Sequence, residues 1–373
     1  MLLRAICIEE VGVQMNQRTA AVVRILSIAL ALCLLLGLVA CKKKSTAPLS
    51  PGLSMIEGVA VHDDGVAMQT DHFTVTPGMM AYFFYDYGGV LLSTMEKNKP
   101  YDSTKSLHDQ MYTDTQSWYD VIMNETLRSV SEMLIYCEAA HAAGVTLTDA
   151  QRATVESEIA RLRFDAAAGY SMELEPYLQR LYGPLMTEGD LRAVLELRAL
   201  ASAHAATVNS TLENGITASA IRDYASANGF TDATKSRNLT YLMLTSGTAA
   251  ATKAKAEELM QTLLSSPTDA TMQSFSGEGT VAREQNLTPD NSGVAAISRW
   301  LFAAGREVGD AGRVDTGGVI YLLLYTGNGM TYGEVSARMA LYDAAFADWY
   351  NGWVETLTFG YNYDILDGYD IDP

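Results

Sequence analysis

The residues able to do chemistry are few in this sequence and far apart. Its five histidines are His62, His72, His108, His141 and His204, and none follows position 204. No two of them share the short spacing along one helix or loop that zinc ligands use, so a histidine-rich metal centre is not expected. Cysteine is as sparse: Cys7, Cys33, Cys41 and Cys137 are too few for a disulfide scaffold. Cys137 falls on an apolar helical stripe and reads as a buried core thiol. Carboxylates gather at Asp63-Asp64, Glu257-Glu258 and Asp367, Asp370 and Asp372. None has the spacing of a calcium loop, so they read as solvated faces and a polar tail. GxSxG, HExxH, the P-loop and GxGxxG are absent. Gly277–Ala282 (GEGTVA) fits only the looser GxGxxA form; it follows a polar stretch and opens no clear helix. The expectation is no metal and no cofactor.

The chain of 373 residues is 48% apolar and 19% charged, enough to bury the cores of two or three domains. Its net charge of −18 makes it a poor nucleic-acid binder, because counterion release needs clustered Lys and Arg. Ile25–Ala40 carries no charge and follows Arg18 and Arg24, the pattern of an export signal and short for a spanning helix. Glu9 and Glu10 are unlike the start of such a signal, and Met15 is the better initiator. Leu38-Val39-Ala40-Cys41 resembles the lipobox of bacterial lipoproteins. That resemblance implies cleavage after residue 40, lipid attachment at Cys41 and placement on the extracytoplasmic face of a bacterial membrane. A plain membrane-spanning anchor is the competing reading. Loss of residues 1–40 removes three Arg and two Glu and leaves a net charge of −19. Residues 41–55 then form a flexible tether rich in Lys, Ser and Pro.

Spacing of apolar residues supplies the elements that follow. Gly58–Val75 alternates loosely, as a short strand or hairpin, and Thr76-Pro77-Gly78 suits a helix start. Leu127, Val130, Leu134 and Cys137 mark one face of a helix from near Trp118 to Gly144. Thr148 and Gln151 form a capping box, and Thr187 caps a further helix. A short helix follows at Thr217–Ala227, then a strand at Leu239–Leu244 and a helix at Lys253–Leu264. Residues 267–293 read as loop with short helical pieces, Ile297–Ala304 as a helical turn and Val319–Tyr325 as a buried strand. Glu334 to about Leu357 is a helix whose stripe of Met339, Tyr342, Phe346, Trp349 and Trp353 should be core.

Four segments resemble the N-terminal domain of SurA/PrsA-type extracytoplasmic foldases: Ser106–Asp120, Glu138–Gln151, Tyr177–Arg192 and Ile216–Phe230. Arg237–Gly327 is similar in outline to a parvulin-type (PpiC-type) prolyl isomerase domain. The fold class implied is α+β and predominantly helical, a helical chaperone domain with an inserted small parvulin-like α/β domain. The boundaries are 1–40 signal peptide, 41–55 tether, 56–215 helical domain, 216–328 parvulin-like domain and 329–373 a C-terminal helix packing back on the helical domain. Parvulins place two histidines beside an apolar proline pocket. Here Tyr241 falls at the first position and Ile320 at the second, and Arg237–Gly327 contains no histidine. The resemblance therefore implies a foldase whose isomerase site is inactive and whose partners are unfolded or nascent exported polypeptides. Tyr241, Met243, Trp300, Phe302 and Tyr321 are the candidate peptide-binding pocket, with core packing as the competing reading for each. An active isomerase with an atypical site and a ligand-binding envelope lipoprotein are the alternative functions. The mature chain's many methionines suit a soft, promiscuous surface.

Overall fold

The computed structural model describes residues 56–94, 101–245 and 249–371. The export signal, Cys41 and the tether lie outside the described residues. The chain divides into two compact units, one of residues 56–211 with 346–371, the other of residues 212–345.

The first unit is mostly helical, and capping chemistry fixes where its helices begin. Helix α1 (Pro77–Thr94) opens on Thr76, whose Oγ1 accepts from the Met79 N–H at 3.1 Å. Helix α2 (Trp118–Ala142) starts at a capping box of Ser117 and Asp120. Helix α3 (Asp149–Tyr170) starts at the box of Thr148 and Gln151. Reciprocal bonds of this kind satisfy two orphan donors at once, and so survive as a sequence signal. After α4 (Leu174–Tyr182), Thr187 caps α5 (Glu188–Gly215), accepting from the Asp190 N–H at 3.1 Å. The core is built on α1 and α2: Met80, Phe84, Trp118, Tyr119, Ile122 and Leu134 are at most 1% exposed. Cys137 is buried as expected, its Sγ 3.4 Å from the Leu197 carbonyl, and burial pushes the thiol up to about 12.

The tail of the chain is the departure from expectation. β1 (Gly58–Ala60), β2 (Met68–Gln69), β3 (Thr74–Val75) and β8 (Phe359–Tyr361) form a sheet in the order β1-β8-β2-β3. The C-terminal strand thus enters between two N-terminal ones, parallel to β1 and antiparallel to β2. Gly360 permits the close approach, since a Cβ there would crowd Val61 and Gln69 at 2.7 and 2.8 Å. Asp370, expected in a solvated tail, instead accepts from the Leu107 N–H at 3.0 Å. Its carbonyl accepts from Tyr85 Oη at 2.9 Å, and Tyr369 Oη donates to the Pro77 carbonyl at 2.7 Å.

The second unit opens with α6 (Ala218–Ala227) and carries a four-stranded antiparallel sheet in the order β5-β4-β7-β6. Its strands are β4 (Lys235–Leu244), β5 (Thr280–Leu287), β6 (Ala311–Asp315) and β7 (Ile320–Thr331). The edge strand β5 falls where polar sequence suggests loop. An edge strand bonds on one side only and can carry Arg283, Glu284 and Gln285, so it lacks the apolar run of a central strand. One sheet face packs on α7 (Ala249–Ser265) and α8 (Asp269–Ser274) through Leu242, Leu244, Ala256, Leu263, Leu322 and Leu324.

Helix α10 (Tyr332–Thr356) corrects the expected docking of residues 329–373 as one piece. Its first turns belong to the second unit, where Ala337 is fully buried against Ile221 and Ala225 of α6. Its aromatic stripe is half-buried, not core, and Met339 is 43% exposed. Within the first unit Trp349 stacks on Tyr136 with ring centroids 5.0 Å apart. The methionines are also mostly core: Met68, Met79, Met80, Met123, Met133, Met186, Met260 and Met272 are buried, so a Met-rich surface does not form among the described residues.

Candidate functional site

One face of the second unit's sheet collects four of the five candidate pocket residues. Side chains alternate across a strand, so Leu239, Tyr241 and Met243 of β4 share a face with Tyr321, Leu323 and Tyr325 of β7. Pairing arranges them in rows. Thr280, Met243, Tyr321 and Val314 lie across the sheet in one row, and Ala282, Tyr241, Leu323 and Gly312 in the next. Helix α9 (Ala295–Leu301) covers the far end, where Ile297 and Leu301 pack on Leu239, Leu323 and Tyr325. The end carrying Tyr241, Met243, Tyr321 and Val314 stays half-buried. Tyr241 and Tyr321 meet edge to face with centroids 5.8 Å apart.

Trp300 forms one wall. Its indole lies directly on Gly312, where any Cβ would overlap the ring. Arg306 covers the outer side, its guanidinium 4.2 Å from the ring centroid, and donates to the Trp300 carbonyl at 3.3 Å. The ion pair of Arg306 with Asp310 at 3.2 Å holds that cation in place. Phe302 sits apart, at the covered end. The Arg237 guanidinium lies 5.4 Å from its ring and 5.1 Å from Tyr325, and donates to the Leu301 carbonyl. Phe302 thus reads as packing around Arg237 more than as wall.

Glu284 is the site residue that sequence reading missed. It lies on β5 opposite Leu239, diagonal to Tyr241, and accepts a hydrogen bond from the Tyr241 hydroxyl. Treating 267–293 as loop hid it; the alternation of Thr280, Ala282 and Glu284 is the signal that would have found it. Burial pushes the Tyr241 phenol up to about 12, with the Glu284 charge adding to the effect. Burial likewise raises Glu284 above the usual carboxylate range, against the lowering effect of the Tyr241 bond. Tyr321 is raised by burial and by Glu284. The phenols therefore stay protonated at neutral pH: they donate hydrogen bonds and do not act as bases.

Ile320 corrects the expected pairing of two histidine-equivalent positions. It lies on the other sheet face, 8% exposed in the core beneath α7. Side chains at 241 and 320 point to opposite sides and cannot converge on one ligand; the residue that meets Tyr241 is Tyr321. The arrangement sets two aromatic rings and a tryptophan wall beside one phenol–carboxylate pair. It holds no imidazole.

No family model and no curated protein matches the sequence. Among solved structures, the chain is similar to PrsA of Bacillus subtilis at 13% identity, with a TM-score of 0.32, over 73% of this chain and 95% of that one. It is similar to foldase protein PrsA of Streptococcus pneumoniae at 12% identity and a TM-score of 0.28, over 66% and 90%. A structure of the SurA-like chaperones of Campylobacter jejuni gives 10% identity and a TM-score of 0.23, over 80% and 98%. Fold class comes from the chain's own elements: α+β, mostly helical, with one small sheet in each unit.

Proposed function

We propose that this protein is a membrane-anchored extracytoplasmic chaperone of the foldase type, which binds unfolded exported polypeptides and has an inactive isomerase site. The observation that carries the reading is the half-buried aromatic face of Tyr241, Met243, Tyr321 and Trp300, in a region that lacks histidine. Binding an unfolded segment requires apolar surface that stays accessible, and such surface on a folded chain is the usual mark of a recognition site. Isomerisation asks for more, because the amide barrier is about 18–20 kcal/mol and must be lowered by groups placed around the twisting bond. Two phenols held protonated and one carboxylate replace the polar network of the family that the sequence resembles.

The second reading, an active isomerase with an atypical site, draws on the Tyr241–Glu284 pair, which places a hydrogen-bond donor beside the apolar face. The two are separated by parallel assays on the chain from residue 42 onward. One follows cis-to-trans conversion of a proline peptide, the other aggregation of a denatured client. Suppressed aggregation with conversion at the uncatalysed rate of tens of seconds is expected. Conversion at the rate of an ordinary parvulin moves the chain to the enzyme class. Failure to suppress aggregation, together with no peptide binding by titration, removes the chaperone reading.

A further inference from the structure

Two of the histidines that look scattered along the sequence meet in the first unit. His72 sits in the turn between β2 and β3, and His141 in the last turn of α2. Their rings stand 3.9 Å apart between centroids, tilted by 30°. Glu138 lies one helical turn before His141 on the same face of α2. One ligand atom from each of His72, Glu138 and His141 can be chosen so that all three lie within 4.8 Å of one another.

The Glu138 side chain is only 2% exposed, and its ion-pair partner among the described residues is His72, with Nδ1 at 2.7 Å from Oε2. Its other oxygen accepts from Thr70 Oγ1 at 2.6 Å and from the His72 N–H at 2.8 Å. A buried carboxylate is costly without a firm countercharge.

We propose that His72, Glu138 and His141 form a binding site for a divalent transition-metal ion of the zinc class. Two imidazoles and a carboxylate are a donor set that suits Zn²⁺ and disfavours Mg²⁺ or Ca²⁺, which prefer all-oxygen shells. In a tetrahedral shell with bonds near 2.1 Å, neighbouring ligand atoms lie about 3.4 Å apart. That spacing lies within the 4.8 Å span of the three ligand atoms, so the exposed rings of His72 and His141 adjust around the ion while Glu138 stays held by Thr70. Three protein ligands leave the fourth position to water. The ion neutralises Glu138 and ties the β2–β3 turn to the end of α2, so the site acts first on the stability of the helical unit.

The test uses the full-length chain in detergent, titrated with ZnCl₂ in a calorimeter and followed by thermal unfolding. The expected result is one ion bound per chain and a raised unfolding temperature, with MgCl₂ giving neither. His141→Ala is the informative variant, because His141 is exposed and all of Glu138's hydrogen bonds remain. It should lose more affinity than the about 10–100-fold that follows removal of an outer-shell partner, with circular dichroism unchanged. Absence of stoichiometric zinc binding by the native chain overturns the proposal. So does unaltered binding in His141→Ala, which would place the ion on the acidic surface elsewhere.

Discussion

Truncation after Leu357 should unfold the helical unit, although it removes no part of a long helix. The removed segment contains β8 and four buried hydrophobic side chains: Phe359, Tyr361 and Leu366 at 0% exposure and Tyr369 at 5%. At roughly 1.5–3 kcal/mol for each such side chain, their loss withdraws about 6–12 kcal/mol. That equals most of the about 5–15 kcal/mol that a domain has. Structural hydrogen bonds go with it, among them Tyr119 Oη to the Leu366 carbonyl at 2.8 Å and the Asn362 N–H to the Ala67 carbonyl at 3.0 Å. The milder perturbation Tyr361→Ala should cost about 3–5 kcal/mol, the usual range for a large aromatic removed from a core. Hydrogen exchange read by region is the assay. Amides of α2 should lose protection in the truncated chain, those of β4 and β7 should keep theirs, and a 357–373 peptide should restore part of the loss. A truncated chain that unfolds at the native temperature, with α2 still protected, would refute the view that the tail is a structural strand.

Glu132 offers a pH test: burial raises its carboxyl to about 7, against the lowering charge of Arg128. The folded state thus holds a proton that the unfolded chain releases near 4.5, so stability falls as pH rises from about 4.5 through 7. Glu132→Gln removes that loss and should stabilise the chain at pH 8 by up to about 3 kcal/mol, with little effect at pH 4, by denaturant titration at both values. Gly312→Val should displace Trp300 from the sheet and weaken peptide binding, read as a loss of the tryptophan fluorescence change on titration. Cys41→Ser should leave the precursor unprocessed when expressed in a bacterium, while the native chain partitions into detergent; an unmodified mature N-terminus at another residue argues against the lipobox.

Helices were legible because their signals are local. Capping boxes at Thr148 and the stripe through Leu127, Val130, Leu134 and Cys137 need only neighbouring residues to be recognised, and the structure keeps them. The central strands β4 and β7 were legible as apolar runs, buried on one face and partly buried on the other. The edge strand β5 was not, since one bonded side and one apolar face leave a sequence that reads as loop. β8 has three residues, and its partners β1 and β2 lie some three hundred positions earlier, beyond any local pattern.

The candidate site divides in the same way. Residue types alone determined that Arg237–Gly327 holds no histidine, and that aromatic residues stand at 241, 300, 302 and 321. Only strand register decided which of them share a face, putting Tyr321 beside Tyr241 and sending Ile320 to the opposite core. A slip of one residue reverses every side chain, and single-sequence spacing does not fix the register of two distant strands. Tertiary structure likewise decided that Glu284 bonds to Tyr241, and that His72 and His141, far apart in the chain, stand ring against ring beside Glu138. Composition fixes what chemistry is available to the chain; the packing of distant segments fixes which groups stand close enough to use it.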